Sequence, residues 1–263
     1  MQIKQLARHT GKVCLALAFW LAVWLAVSFR VNNEFLFPTP AAVGQELVRL
    51  LGTKSFWLTS SISLLRILWG ILVSWIIGTV LAYLTYICGP LRTILTPAIS
   101  AVKSTPVASF IILALLWLER DSLPVFITAL IVIPIVWGNV SEGIGSVDGK
   151  LVEVAKVYRL SLPKRIFRLY VPSVAPYFMA ACKSSLGLAW KAGIAAEILA
   201  TPDHSIGKEL YFSKTYLETD SLFAWTLVVI VLSLLIEKLL VFGLNRLGQR
   251  FHVLSKGGIH ADT

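Results

Sequence analysis

Two lysines, Lys183 and Lys191, stand eight residues apart inside one long apolar stretch. On a helix they lie about 12 Å apart along the axis. Ionisable groups at membrane depth are costly and usually face a cavity or a partner. A pair of ammonium groups there would bias a route towards anions. The competing reading is that carbonyls, or a carboxylate such as Glu197, satisfy both lysines within the fold. A second candidate is Lys103-Ser104-Thr105-Pro106. Pro106 removes a backbone donor, and irregular backbone at membrane depth is tolerated where it lines a cavity. Lys103, Thr105, Lys183, Lys191 and Glu197 are therefore the candidates for a solute pathway, against a default of helix kinking and internal pairing.

A third group has a different character. Gly149 to Arg159 is charged and two-sided, and it lies between apolar runs. Leu151, Val154, Val157 and Tyr158 fall on one helical face, with Lys150, Glu153, Lys156 and Arg159 largely off it. Asp148-Gly149 turns into this helix, and Ser161 and Pro163 end it, so the spacing predicts a short helix over 149–161. Lys164, Arg165 and Arg168 follow, ahead of Pro172. An interfacial helix touching anionic lipid and a docking helix for another protein both fit this pattern.

Other chemistry is excluded. His9, His204, His252 and His260 lie in termini or loops with no nucleophile at workable spacing, so no catalytic set emerges. Cys14, Cys88 and Cys182 show no CxxC spacing and form neither a disulfide frame nor a metal site. Gly149-Lys150 is followed by Leu151, so there is no phosphate-binding loop and no nucleotide site.

The elements that must position these residues are membrane spans. The chain has 263 residues, 57% hydrophobic and only 14% charged, with a mean hydropathy of +0.78. A soluble domain carries about 25% charged residues. The apolar mass falls in runs, which predicts an all-α membrane protein and not a barrel. Six spans are expected, at about 13–29, 61–88, 93–118, 122–141, 174–200 and 221–244, with a loop over 142–173 and a tail over 245–263. Pro97, Lys103 and Pro106 interrupt the third, and Pro124 and Pro134 bend the fourth. The first run could be read as a signal peptide, but its length and the lack of an Ala-x-Ala site favour a retained span. Residues 38–58 predict a surface helix with Val43, Leu47, Leu50 and Leu51 inward and Glu46 and Arg49 on the other side. In the fifth span Ala181, Ser185, Ala189, Gly193 and Glu197 step by four as a small-residue ridge for close packing.

The net charge of +10 is spread over span ends, with no basic, aromatic-interleaved groove for nucleic acid. With the N-terminus inside, thirteen Lys and Arg fall inside and six outside, which puts both termini in the cytoplasm. No internal repeat or second domain is evident, so 1–263 reads as a single transmembrane domain. Secondary carriers commonly show such repeats.

Glu153-Val154-Ala155, with Leu169, Val171 and Pro172 closing the segment, resembles the EAA loop of permease subunits of bacterial ATP-binding-cassette importers. The pattern departs at Arg159, where that family has glycine. Ser63-x-x-Arg66-x-x-x-Gly70, Thr105-Pro106, Pro172-x-x-x-Pro176-Tyr177, Ala189-Trp190-Lys191 and Ala196-Glu197 are similar to the nitrate, sulfonate and taurine branch. The resemblance implies a MetI-like core and a coupling helix at 149–161 in which Glu153, Val154, Ala155, Lys156, Tyr158 and Arg159 meet a separate ATPase. It implies two ATP-binding subunits holding ATP and Mg, a second permease copy as a homodimer, an extracytoplasmic solute-binding protein, and a place in the bacterial inner membrane. The chain itself would bind no cofactor or metal. The expected cargo is a small anion such as nitrate, a sulfonate or taurine. A neutral heterocycle such as a thiamine pyrimidine precursor, a stand-alone ion-coupled carrier and an intramembrane enzyme are the alternatives.

Overall fold

The computed structural model describes residues 2–250, and within them every regular element is helical. The tail residues His252, Lys256 and His260 lie outside the described residues. The elements are α1 (Gln2–Val31), α2 (Pro40–Leu51), α3 (Lys54–Ile87), α4 (Gly89–Ser104), α5 (Val107–Ala114), α6 (Leu123–Gly145), α7 (Gly149–Val157) and α8 (Leu162–Arg165). A π-helical turn, Ile166–Tyr170, leads from α8 into α9 (Val171–Ala200), followed by α10 (Ile206–Thr215) and α11 (Thr219–Arg250).

Among the described residues four stretches are long and apolar enough to cross a bilayer: Cys14–Val31, Lys54–Ile87, Leu123–Gly145 and Thr219–Arg246. The expected third span is a bent pair, α4 and α5, which meet at 106° across Thr105-Pro106. Proline cannot donate at that break. Ser104 Oγ and Thr105 Oγ1 both donate to the Ala101 carbonyl, at 3.1 Å and 2.8 Å, and so join the Thr105 N–H, which reaches the same oxygen at 3.0 Å, in closing the last turn of α4. The next helix, α6, runs through Pro134 as one element. The 30-residue α9 is long enough to span but is not among those apolar stretches. Its lysines, Glu197 and many small residues lower its hydropathy.

The core is built on α6, which packs along both α3 and α9. Lipid is as apolar as leucine, so association here depends on close packing and polar contacts more than on water exclusion. The sequence of α3 shows this inversion. Its buried stripe sets Ser60, Ser63, Gly70, Ser74, Gly78 and Thr85 among Phe56, Ile67 and Ile71, while Leu65, Trp69, Leu72 and Ile76 point outward. A Cβ on Gly78 would meet Val136 Cβ at 2.7 Å, and one on Gly193 would meet Ile67 at 2.7 Å, so these helices approach backbone to side chain. The expected ridge of α9 is the face that enters this contact: Ala181, Ser185, Ala189 and Glu197 are fully buried.

Two local expectations are corrected. In α2, capped by Thr39 Oγ1 accepting from Ala42 N at 3.2 Å, the inward stripe is Val43, Glu46 and Leu50. Glu46 is buried, whereas Leu51 is exposed. Arg49, one turn on, donates to both carboxylate oxygens at 2.6 Å and 2.7 Å, and that fork makes the inward position tolerable. The stretch between α9 and α11, expected as a plain loop, contains α10. Ser205 caps α10, its Oγ accepting from Lys208 N at 3.1 Å.

Candidate functional site

The helix expected at 149–161 is α7, and it starts where Asp148 directs it: Asp148 Oδ1 accepts from Lys150 N at 2.9 Å. It stops at Val157, four residues early. Arg159 N donates to Lys156 O at 2.9 Å and Leu160 N to Ala155 O at 3.0 Å, the paired bonds of a Schellman cap. That cap needs a left-handed residue, and Arg159 has φ 49°. The departure at Arg159 therefore falls at the one position of the turn where glycine is favoured on backbone grounds. Pro163 lies in α8 and does not terminate α7. Arg159→Gly is expected to stabilise this turn by about 1 kcal/mol, the lower end of the left-handed cost for a residue with a Cβ. Slower amide exchange at Leu160 would register it. Faster exchange would refute the cap.

The surface of α7 is unusual for a short polar helix. Only Ala155 is buried. Leu151 and Val154 are exposed, and Val157 and Tyr158 are 78% and 76% exposed. Glu153, Lys156 and Arg159 are exposed beside them. The four apolar side chains thus share a face that the described residues leave uncovered.

The intramembrane candidates separate into two groups. Lys183 is half-buried and donates from Nζ to Asn245 Oδ1 of α11 at 2.7 Å. Glu197 is wholly enclosed. Its Oε2 accepts from Ser63 Oγ at 2.8 Å and from Gly207 N at 3.2 Å, and its Oε1 from Arg66 Nη1 at 3.0 Å. Ser63 Oγ in turn accepts from Ile206 N at 2.8 Å. The carboxylate and its serine thus cap α10, where backbone N–H groups are unpaired and the helix dipole favours a negative charge. Gly207 is required by this arrangement: a Cβ there would lie 2.3 Å from Glu197 Cβ. Arg66 Nη2 continues the chain of contacts to Asp121 Oδ1 at 2.9 Å, between α5 and α6. Thr201 and His204, both at positive φ (48° and 47°), turn the chain back so that α10 meets α9. In the same turn Lys208 holds the Asp203 carboxylate below its usual range by a direct hydrogen bond.

Lys103, Thr105 and Lys191 behave differently. Lys103 is exposed at the end of α4, and its Nζ would stand 3.7 Å from a Cβ on Gly138, so the amine leans over a gap in α6. Lys191 is exposed on α9, on a strip with Ser184 and Leu188. Neither lysine has an ion-pair partner among the described residues. Thr105 is half-buried at the α4–α5 break. No group of His, Cys, Asp and Glu suited to a metal occurs among the described residues. Ser63, Gly207 and Asp121 were not singled out as site residues from the sequence. The Ser63-x-x-Arg66-x-x-x-Gly70 spacing was the available signal, since it puts three residues on one face.

Comparison with known proteins gives consistent results. Residues 70–250, more than half of the chain, match the family described as binding-protein-dependent transport system inner membrane component. A Bacillus subtilis protein named for aliphatic sulfonates transport as a permease is 23% identical over 219 residues, covering 82% of this chain and 79% of that one. The taurine transport system permease protein of Escherichia coli is 22% identical over 254 residues, covering 94% and 89%. A crystal structure of a bacterial alginate ABC transporter, in complex with an alginate pentasaccharide-bound periplasmic protein, superposes with a TM-score of 0.57 at 15% identity, covering 95% of this chain and 98% of that one. At that identity the likeness concerns the fold alone.

Proposed function

The chain belongs to the family of binding-protein-dependent transport system inner membrane components, the permease subunits of ATP-binding-cassette importers, and from that premise we propose that it forms the solute pathway of an importer for small sulfonate-class anions. It works as one of two identical copies in the bacterial inner membrane, with both termini in the cytoplasm. The six spans are α1, α3, the bent pair α4–α5, α6, α9 and α11, and 1–263 is one permease domain. A solute-binding protein delivers cargo at the α10 end. Two copies of a separate ATPase, holding ATP and Mg, drive the cycle from the α7 end.

The observation that carries this reading is the uncovered apolar face of α7 beside Glu153. A helix whose four apolar side chains have no cover among the described residues is suited to a groove on another protein. Glu153, Val154, Ala155, Lys156, Tyr158 and Arg159 transmit the ATPase's motion. Along the pathway, Lys103 and Lys191 supply unpaired positive charge and Thr105 a hydroxyl at the hinge. Lys183 and Glu197, tied to Asn245 and to Arg66, frame the route without facing it. The sulfonate and taurine relatives support an anionic cargo, and the two free cations agree with it.

Reconstitution tests the whole reading. Vesicles containing this chain, its copurifying ATPase and an external binding protein are expected to accumulate labelled taurine or an alkanesulfonate only with ATP and Mg. Uptake by the chain alone, driven by an ion gradient without ATP, would replace the importer with a secondary carrier.

A further inference from the structure

A furrow of about 760 Å³ runs lengthwise between α3 and α9, within the range of about 300–1,000 Å³ that ligand sites occupy. One wall is a continuous stripe of α3 that includes Leu72, Ile76, Val80, Tyr83 and Ile87. The other is Val171, Val174 and Phe178 of α9, and Val140 and Ile144 of α6 form the floor. From Leu72 to Ile87 the helix rises about 22 Å, most of the roughly 30 Å of hydrocarbon in a bilayer. Tails of that length and character surround any membrane protein.

The one charged side chain lining the furrow lies at one end. There the Tyr86 and Tyr170 hydroxyls lie 3.4 Å apart, and Arg165 lines the same end. Arg165 is half-buried. Its Nε donates to Leu160 O at 2.9 Å, no ion pair reaches it among the described residues, and none of the residues lining the furrow is acidic. A guanidinium in such surroundings has donors to spare, and its geometry matches a phosphate. Lys164 and Arg168 add positive charge beside it in the chain.

We infer that the furrow holds one anionic phospholipid, with an acyl chain along α3 and α9 and its phosphate on Arg165. The site has a consequence for α7. The carbonyl that Arg165 holds belongs to Leu160, the residue closing the α7 cap. A headgroup that fixes the guanidinium therefore also fixes the end of α7, so lipid charge sets how firmly α7 is held. The binding step requires only that the chain sits in a bilayer, and it stands or falls independently of the cargo and the ATPase.

Native mass spectrometry of the detergent-purified chain, offered phosphatidylglycerol or phosphatidylcholine, tests this directly. The expected result is one retained lipid per copy, with phosphatidylglycerol preferred. Arg165→Gln is expected to cut that preference about fivefold, the effect of one cation on an anionic lipid, and Arg165→Lys to restore most of it. Ala175→Phe, or Val80→Trp should the first fail to fold, fills the furrow and is expected to lower retention of both lipids. The proposal is overturned if no lipid is retained, if the two lipids bind equally to the unaltered chain, or if Arg165→Gln leaves the preference intact. It is equally overturned if a cysteine placed at Thr79 crosslinks to a helix of a second copy, since the furrow would then be a protein interface.

Discussion

Glu197→Ala is expected to destabilise the folded protein by about 3–5 kcal/mol, the usual result of removing one partner from a buried charge pair. Total stabilities are about 5–15 kcal/mol, so this is a large fraction of the whole. The carboxylate has three ligands from two other helices: Ser63 and Arg66 of α3 and Gly207 N of α10. Alanine leaves Arg66, itself mostly buried, with Asp121 and a carbonyl as its remaining partners, and leaves the Gly207 N–H without an acceptor. Glu197→Gln keeps an oxygen for Gly207 N and the shape of the site, so its cost is expected to be smaller. Lys191→Ala, on the exposed strip of the same helix, is expected to leave the fold unchanged. Thermal unfolding in detergent separates the three. If Glu197→Ala unfolds at the same temperature as the unaltered chain while its solute preference shifts, Glu197 belongs to the pathway surface and not to the frame.

The same network marks where the sequence was informative and where it was not. The spacing of Ala181, Ser185, Ala189, Gly193 and Glu197 announced a packed ridge because a small-residue step of four is a local, one-dimensional signal. The break at Pro106 was equally legible, since a missing donor is a property of one residue. The partner of Glu197 was not: Arg66 lies 131 positions away, and both residues carried open readings until the helices were placed side by side. Glu46 was assigned outward because charge normally faces out, and only its fork with Arg49 explains the inward position. The end of α7 was misjudged for a related reason. A left-handed cap is easily seen when glycine supplies it and is hidden when arginine does.

Val157→Asp and Glu153→Lys are expected to reduce solute uptake to background while the purified chain unfolds at an unchanged temperature. The second half follows from exposure. Val157 is 78% exposed, and Glu153 is exposed with no salt bridge among the described residues, so neither contributes to packing among those residues. The first half follows from what α7 presents to a neighbour. An aspartate at 157 would be buried without a counter-ion in any apolar groove that accepts Leu151, Val154 and Tyr158. A lysine at 153 would join Lys150 and Lys156, each three residues away, and turn a mixed face into a positive one. Loss of an interface anchor costs about 2 kcal/mol or more, roughly thirtyfold in affinity for the ATPase, and copurification would read this directly. The two variants also separate docking from lipid contact. An extra cation at 153 strengthens attachment to anionic lipid but, in the docking reading, weakens attachment to the ATPase. Uptake that survives Glu153→Lys would make α7 a membrane-surface helix and leave the motor to be sought elsewhere on the chain.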